Sequence, residues 1–243
     1  MQLYFIRHGQ SQNNAGAHVA SYQESSDPEL TPIGLEQANI LADYLAKNQA
    51  VAHPDRSDPQ NRAGFGFTHM YTSLMSRAVC TAAPAARALG IPFAAWPEIH
   101  EEGGIYSREE HTRGAGLPGK PRSYFEVGFP GLSLPSSLDE TGWWNRPFEA
   151  DEELQPRADQ FLADLLTRHN HPADRVALFS HGGFFMRLMC AMLKLPWRQA
   201  SHNLRSWFML NNGSISRIDI HNGELIICYL NRTDHFEARL ITF

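Results

Sequence analysis

The chain opens Met1-Gln2-Leu3-Tyr4-Phe5-Ile6-Arg7-His8-Gly9, and the stretch from Leu3 to Gly9 decides the fold. Four apolar residues in a row, broken by polar residues and a glycine, form the pattern of a buried parallel strand emptying into a loop. In α/β sheets, ligand sites lie in such loops at the carboxyl ends of parallel strands. A strand end carrying Arg7 and His8 offers a fixed cation beside an imidazole that can act as nucleophile, base or metal ligand. Taken alone, the tripeptide fits a structural histidine in a turn better than a catalytic one.

A second strand end changes that balance. Val176-Ala177-Leu178-Phe179-Ser180 is another apolar run, and it leads into His181-Gly182-Gly183 and an apolar helix predicted over Phe184 to Leu195. Glycine next to histidine lets backbone N–H groups approach a ligand closely. Between the two strand ends, Thr31 and Pro32 suit the N-cap and first turn of a helix, and Leu35, Ala38, Leu41, Ala42 and Leu45 recur at helical spacing. Phe67 to Thr72 reads as a strand, followed by an Ala-rich helix to about Leu89 with Gly90 as its C-terminal stop. Arg77 falls in the first turn of that helix, where the dipole favours anions, so the cation makes sense as part of an anion site. Ile91 to Trp96 is a third short run, leading to Glu98-Ile99-His100-Glu101-Glu102-Gly103-Gly104, the best place for a general acid. No second histidine follows at the spacing of a metalloprotease helix.

The remaining segments carry less information. Residues 10–14, Gln-Ser-Gln-Asn-Asn, read as a polar loop able to turn amide and hydroxyl groups toward an anion, and residues 50–66 as an aperiodic connection. From 105 to 150 the chain is rich in Gly, Pro, Ser and aromatics without periodicity, the mark of an inserted loop or cap rather than a separate domain. Its five basic residues (Arg108, Arg113, Lys120, Arg122, Arg146) face six acids, and Trp143 and Trp144 read as core packing rather than ligand walls. Asp151 is expected to cap a helix buried through Leu154, Ala158, Phe161, Leu162, Leu165 and Leu166, with His169 and His171 in a solvated loop after it. Trp207 to Leu210, Ser214 to Ile220 and Glu224 to Leu230 are strand-like, separated by Asn212-Gly213 and Asn222-Gly223 turns. An edge strand in this tail is where a homodimer would form.

With 42% apolar and 19% charged residues, 243 residues suffice for one large α/β domain, and a net charge of -5 disfavours nucleic acid or an anionic membrane as the main partner. Cys80, Cys190 and Cys228 form no paired motif and read as buried thiols of a cytoplasmic protein. No leader and no membrane-spanning run is expected.

Two arginines, two histidines and an acid, each just after a strand, suit phosphoryl transfer. Arginines hold a phosphoryl group bidentately while its oxygens gain charge. A histidine in line with phosphorus attacks it, a second donates to an equatorial oxygen, and a carboxyl group of raised pKa protonates the leaving alcohol. No metal or other cofactor is needed for this chemistry.

Arg7-His8-Gly9 with Ser11 and Asn14, Leu30-Thr31 with Gly34 and Gln37-Ala38, Ser73 with Arg77-Ala78 and Thr81-Ala82, and Ser180-His181-Gly182-Gly183 closely resemble the histidine phosphatase superfamily, also called the phosphoglycerate mutase-like family. The resemblance covers most of the chain outside 105–150. It implies a three-layer α/β/α sandwich with a mostly parallel central sheet, and a single domain over 1–243. His8 would become the phosphohistidine, with Arg7, Arg77, His181 and Gly182 in the phosphate pocket and Asn14 supplying an amide. The family's proton donor matches Glu101 in Ile99-His100-Glu101, with Glu102 as the rival one residue on. Gln10 stands where many mutases and some phosphatases have Glu, which mildly weakens a mutase reading. The expected activity is therefore a metal-independent phosphatase for a small phosphorylated metabolite. The alternatives are a phosphoglycerate mutase, which needs extra basic residues in the cap, and a non-catalytic phosphate-binding module, which would have lost the nucleophile or an arginine.

Overall fold

The computed structural model describes residues 1–49, 58–109, 111, 114–196 and 208–243. A seven-stranded sheet runs through it in the order β4-β3-β2-β5-β1-β6-β7. β1 (Gln2–Arg7), β2 (His69–Thr72), β3 (Phe93–Ala95), β4 (Leu132–Ser133) and β5 (Arg175–Ser180) are mutually parallel. β6 (Ile215–His221) and β7 (Glu224–Arg232) add an antiparallel edge.

Alternate residues of one strand face opposite sides of a sheet, and β1 shows what that does here. Tyr4 and Ile6 join Ala177, Phe179 and Ile215 under α2 (Pro32–Lys47) and α3 (Ser76–Leu89), which supply Leu41, Leu45, Val79 and Ala82. Leu3 and Phe5 join Val176, Leu178 and Ile218 under α5 (Asp151–Arg168) and α6 (Gly182–Leu193), which supply Phe161, Leu165, Phe184 and Phe185. The result is a three-layer α/β/α sandwich. Both central strands are buried along their whole length, which is why they read as continuous apolar runs.

Local chemistry sets the element ends. Thr31 Oγ1 accepts the Gly34 N–H and caps α2, with Pro32 behind it. Gly90 ends α3 at φ 65°. Asn222 and Gly223, at φ 50° and 81°, make the β6–β7 turn, since positive φ at both central residues matches the strand twist.

Several expectations need correcting. Residues 12–16 are a short helix, α1 (Gln12–Gly16), because Ser11 and Asn14 close a capping box. Segment 105–150 holds a helix, α4 (Arg122–Gly128), and β4, which pairs with β3 and joins the central sheet at Leu132↔Phe93. α5 is capped at Ala150, whose N–H donates to Glu153 Oε2 at 2.8 Å, so Asp151 lies inside the helix. Leu35 and Leu166 are exposed. Residues 208–210 are not a strand. Cys190 is buried, whereas Cys80 and Cys228 are only partly so. His169 is buried rather than solvated, with its Nε2 3.0 Å from the Tyr71 hydroxyl. Arg113, Trp207 and residues 50–57 of the 50–66 connection lie outside the described residues.

Candidate active site

The carboxyl ends of β1, β2 and β5 are neighbours in the sheet, so the residues that follow them meet. His8 follows β1 and is buried, with its ring 5.1 Å from that of His181, which follows β5. His8 Nδ1 lies 2.7 Å from the Gly9 carbonyl oxygen. A carbonyl only accepts, so Nδ1 carries the proton and the lone pair sits on Nε2. Arg77 Nε donates to that Nε2 at 3.2 Å, consistent with the same tautomer. Burial, then the charges of Arg77 and Arg7, hold His8 far below the usual histidine range, so it is neutral at physiological pH.

His181 is likewise pushed far down, by burial first and then by Arg77 and His8. Its Nε2 is 2.9 Å from Ser73 Oγ, and its buried Nδ1 has no hydrogen-bond partner among the described residues. Arg7 donates through one terminal nitrogen to the Leu210 carbonyl and stacks 4.8 Å from the Phe243 ring, while its buried Nε has no hydrogen-bond partner among the described residues. Burial pulls its pKa down to about 10 against the opposing charge of Glu101. Arg77 Nη1 is also buried without a hydrogen bond to the described residues, at 3.9 Å from Asp27 Oδ1. Two buried guanidinium nitrogens and an imidazole nitrogen without partners are costly unless an acceptor binds there. The amino terminus of α6, starting at Gly182, adds the positive end of a helix dipole.

The acid loop separates its two glutamates. Glu101 Oε1 accepts the N–H groups of Glu102 (3.0 Å) and Phe184 (3.1 Å), and its charge acts on both Arg7 and Arg77. Glu102 instead accepts from Arg187 Nε at 2.5 Å; burial pushes its carboxyl up and Arg187 opposes that. Gly183 makes room for this loop, since a Cβ there would overlap Glu101 Oε1. The loop backbone is pinned by Arg157, which donates to the carbonyls of Glu98 (2.6 Å) and His100 (3.1 Å) and pairs with Glu149. Arg146 donates to His100 Nε2 at 3.0 Å, leaving His100 Nδ1 to donate to the Glu101 carbonyl at 2.8 Å. A cavity of about 650 Å³ lies behind the loop, lined by His100, Trp143, Trp144, Arg146 and Arg157 among others, and by neither histidine of the strand ends.

A model of the histidine phosphatase superfamily (branch 1) matches residues 3–233. The chain belongs to that superfamily. Among relatives of this histidine phosphatase superfamily member, a glucosyl-3-phosphoglycerate phosphatase of Mycolicibacterium vanbaalenii is 26% identical over 200 residues, covering 80% of this chain and 75% of the relative. A protein of Photorhabdus laumondii named as a probable phosphoglycerate mutase is 28% identical over 221 residues, covering 90% and 85%. The fold is shared with a mycobacterial glucosyl-3-phosphoglycerate phosphatase solved with VO3 (TM-score 0.58, 20% identity, 96% and 99% covered). It is shared too with a phosphoserine phosphatase of Entamoeba histolytica solved with 3-phosphoglyceric acid (TM-score 0.56, 20% identity, 96% and 98% covered).

In this superfamily member the structure brings Arg7, His8, Arg77, Glu101, His181 and Gly182 to one end of the sheet. Asn14 is held through its oxygen, which accepts from Ser11 N, Ser11 Oγ and Asn212 Nδ2 at 2.9–3.1 Å, so its NH₂ group is turned away from those donors. Two supporting residues escaped the sequence reading. Asp27 accepts from Ser76 N (3.1 Å) and Ser76 Oγ (2.7 Å) and so caps α3, the helix that carries Arg77. Asn212, fully buried, donates to both the His8 carbonyl (3.2 Å) and Asn14 Oδ1 (3.1 Å). Asn212-Gly213 was legible as a turn, and Asp27 had no signal beyond lying in the polar loop.

Proposed function

We propose that this protein is a phosphomonoester phosphatase for a small phosphorylated metabolite, working through a phosphohistidine at His8. The observation that carries the reading is the tautomer of His8: Nδ1–H is committed to Gly9, and an unprotonated Nε2 faces Arg77. Nε2 attacks phosphorus as the P–O bond to the alcohol breaks. Glu101 gives its proton to the departing alkoxide, and the same carboxylate then takes a proton from the water that cleaves the N–P bond. Arg7, Arg77 and His181 hold the equatorial oxygens, the two arginines supplying positive charge that grows in value in a water-poor pocket and the neutral imidazole a hydrogen bond. Asn14 and the Gly182 N–H complete the cradle. Three cysteines, all free, favour a reducing, cytoplasmic setting.

A nitrophenyl phosphate assay tests this directly: vanadate-sensitive release, abolished in His8→Ala, with an acid-labile phosphoenzyme that disappears in the same variant. Release that persists in His8→Ala overturns it. A second reading, a phosphoglycerate mutase, rests on the Photorhabdus relative. It predicts interconversion of 2- and 3-phosphoglycerate faster than release of phosphate from either.

A further inference from the structure

We propose that His69, His169 and Asp174 form a binding site for a divalent transition-metal ion of the zinc type, separate from the phosphate pocket. One ring nitrogen of each histidine and one carboxylate oxygen of Asp174 lie within 4.8 Å of one another. Two imidazoles and a carboxylate are a donor set that Zn²⁺ accepts, with water as the fourth ligand.

The three residues come from different elements that the fold fixes in place. His69 begins β2, Asp174 immediately precedes β5, which pairs with β2, and His169 follows α5. Each histidine has a ring nitrogen already engaged outside the cluster. His169 Nε2 meets the Tyr71 hydroxyl at 3.0 Å and His69 Nδ1 meets Thr68 Oγ1 at 2.8 Å. Such outer contacts orient metal-binding imidazoles. His169 Nδ1 is the telling atom. It is buried on a side chain only 2% exposed, makes no hydrogen bond to the described residues, and lies 3.5 Å from Asp174 Oδ2. A metal would take that lone pair while Nε2–H donates to Tyr71.

The adjustment required is small. Ligand atoms of a tetrahedral zinc with bonds near 2.05 Å stand about 3.3 Å apart, so the widest present separation has to close by roughly 1.5 Å. His69 and Asp174 are only partly buried, so they have room to move and a path for the ion. Arg168, whose charge acts on His169, stacks 4.0 Å over Trp96. The site lies at the amino ends of β2 and β5, whereas His8 and His181 lie at the carboxyl ends, roughly 20 Å away by strand length. Its role is to tie two strands and a helix together.

The test uses untagged protein, freed of metal and dialysed against Zn²⁺ and, separately, Co²⁺. To remove the strand-end imidazole as a competitor, both ions are also titrated into His8→Ala. One equivalent is expected to bind in wild type and His8→Ala, with visible d–d bands for Co²⁺. Binding should weaken at least tenfold in His69→Gln and Asp174→Asn. At free zinc about one hundred times the dissociation constant, the thermal midpoint of wild type should rise by roughly 5–10 °C. Nitrophenyl phosphate hydrolysis in chelator should be the same in His69→Gln and wild type. No binding below millimolar metal, or equal binding in the His69 and Asp174 variants, overturns the proposal. His69→Gln changes a partly exposed side chain, so the test does not depend on the buried His169 variant folding.

Discussion

Replacing Gly183 with alanine should disable proton donation while leaving the helix intact. Gly183 is the second residue of α6, and its backbone is not in the left-handed region. Helix propensity alone therefore favours alanine, by about 1 kcal/mol. The added Cβ, however, would overlap Glu101 Oε1 and stand 2.8 Å from Glu102 Cγ. Something must move, and the acid-loop backbone is held by Arg157 while α6 is packed through Phe184 and Phe185. The Glu101 carboxylate is the piece free to swing, at the loss of its bonds from Glu102 N and Phe184 N. A misplacement of about 1 Å in a catalytic group is worth roughly 100-fold, or about 2.7 kcal/mol of barrier. An alkyl phosphate, whose leaving group needs the proton, should lose 30- to 100-fold in kcat. Nitrophenyl phosphate, whose leaving group departs as a stable anion, should change less than about fivefold, with the thermal midpoint within about 3 °C of wild type. Steady-state kinetics on both substrates decides it. Equal losses on the two, or none on either in a folded variant, would refute the assignment of Glu101.

Other outcomes follow from the same geometry. Glu101→Gln should cost 10²- to 10⁴-fold in kcat on alkyl phosphates, whereas Glu102→Gln should chiefly lower stability, by about 1–3 kcal/mol in urea titration, because it weakens the partner of buried Arg187. Asn212→Ala should reduce kcat/KM by roughly tenfold with little change in fold by circular dichroism, since the His8 carbonyl and Asn14 Oδ1 both lose a donor. His8, His100 and His181 sit well below 6.5 and His235 is lowered to about 4, in each case first by burial. Only the unfolded chain takes up these protons as pH drops below 6.5. Stability is thus complete above pH 6.5 and falls as pH approaches the folded values, by about 1.4 kcal/mol per such histidine at pH 5.5. Urea midpoints at pH 7.5 and 5.5 measure this, and an unchanged midpoint would contradict the neutral, buried histidines.

What was readable from the chain follows from which forces are local. Strands β1 and β5 showed themselves because both faces of each are covered, and α2 and α3 because Thr31-Pro32 and Gly90 mark their ends through bonds within a few residues. The two histidines are readable because each lies directly after a strand, and Arg77 because it opens the helix that follows one. Contacts across sequence left no trace. β4 is two residues long and exists only because β3 offers its edge. Asp27 caps a helix that begins 49 residues later, and Asn212 reaches across 204 residues to His8. His169 reads as loop because the rings that cover it, Tyr71 and His69, come from elsewhere. The cap of α5 lies one residue before Asp151 because Glu153 reaches back to accept the Ala150 N–H, a contact that the Asp151 side chain does not signal.

The bond from His8 Nδ1 to the carbonyl of its own neighbour Gly9 has an implication for how such a pocket can be altered. In many sites a distant carboxylate chooses which imidazole nitrogen reacts, so the choice is lost when that partner is replaced. Here the choice is written into one dipeptide and travels with the main chain. Loops around the mouth can be exchanged, lengthened or recharged to suit a different alcohol, and the reactive face of the ring stays where it is.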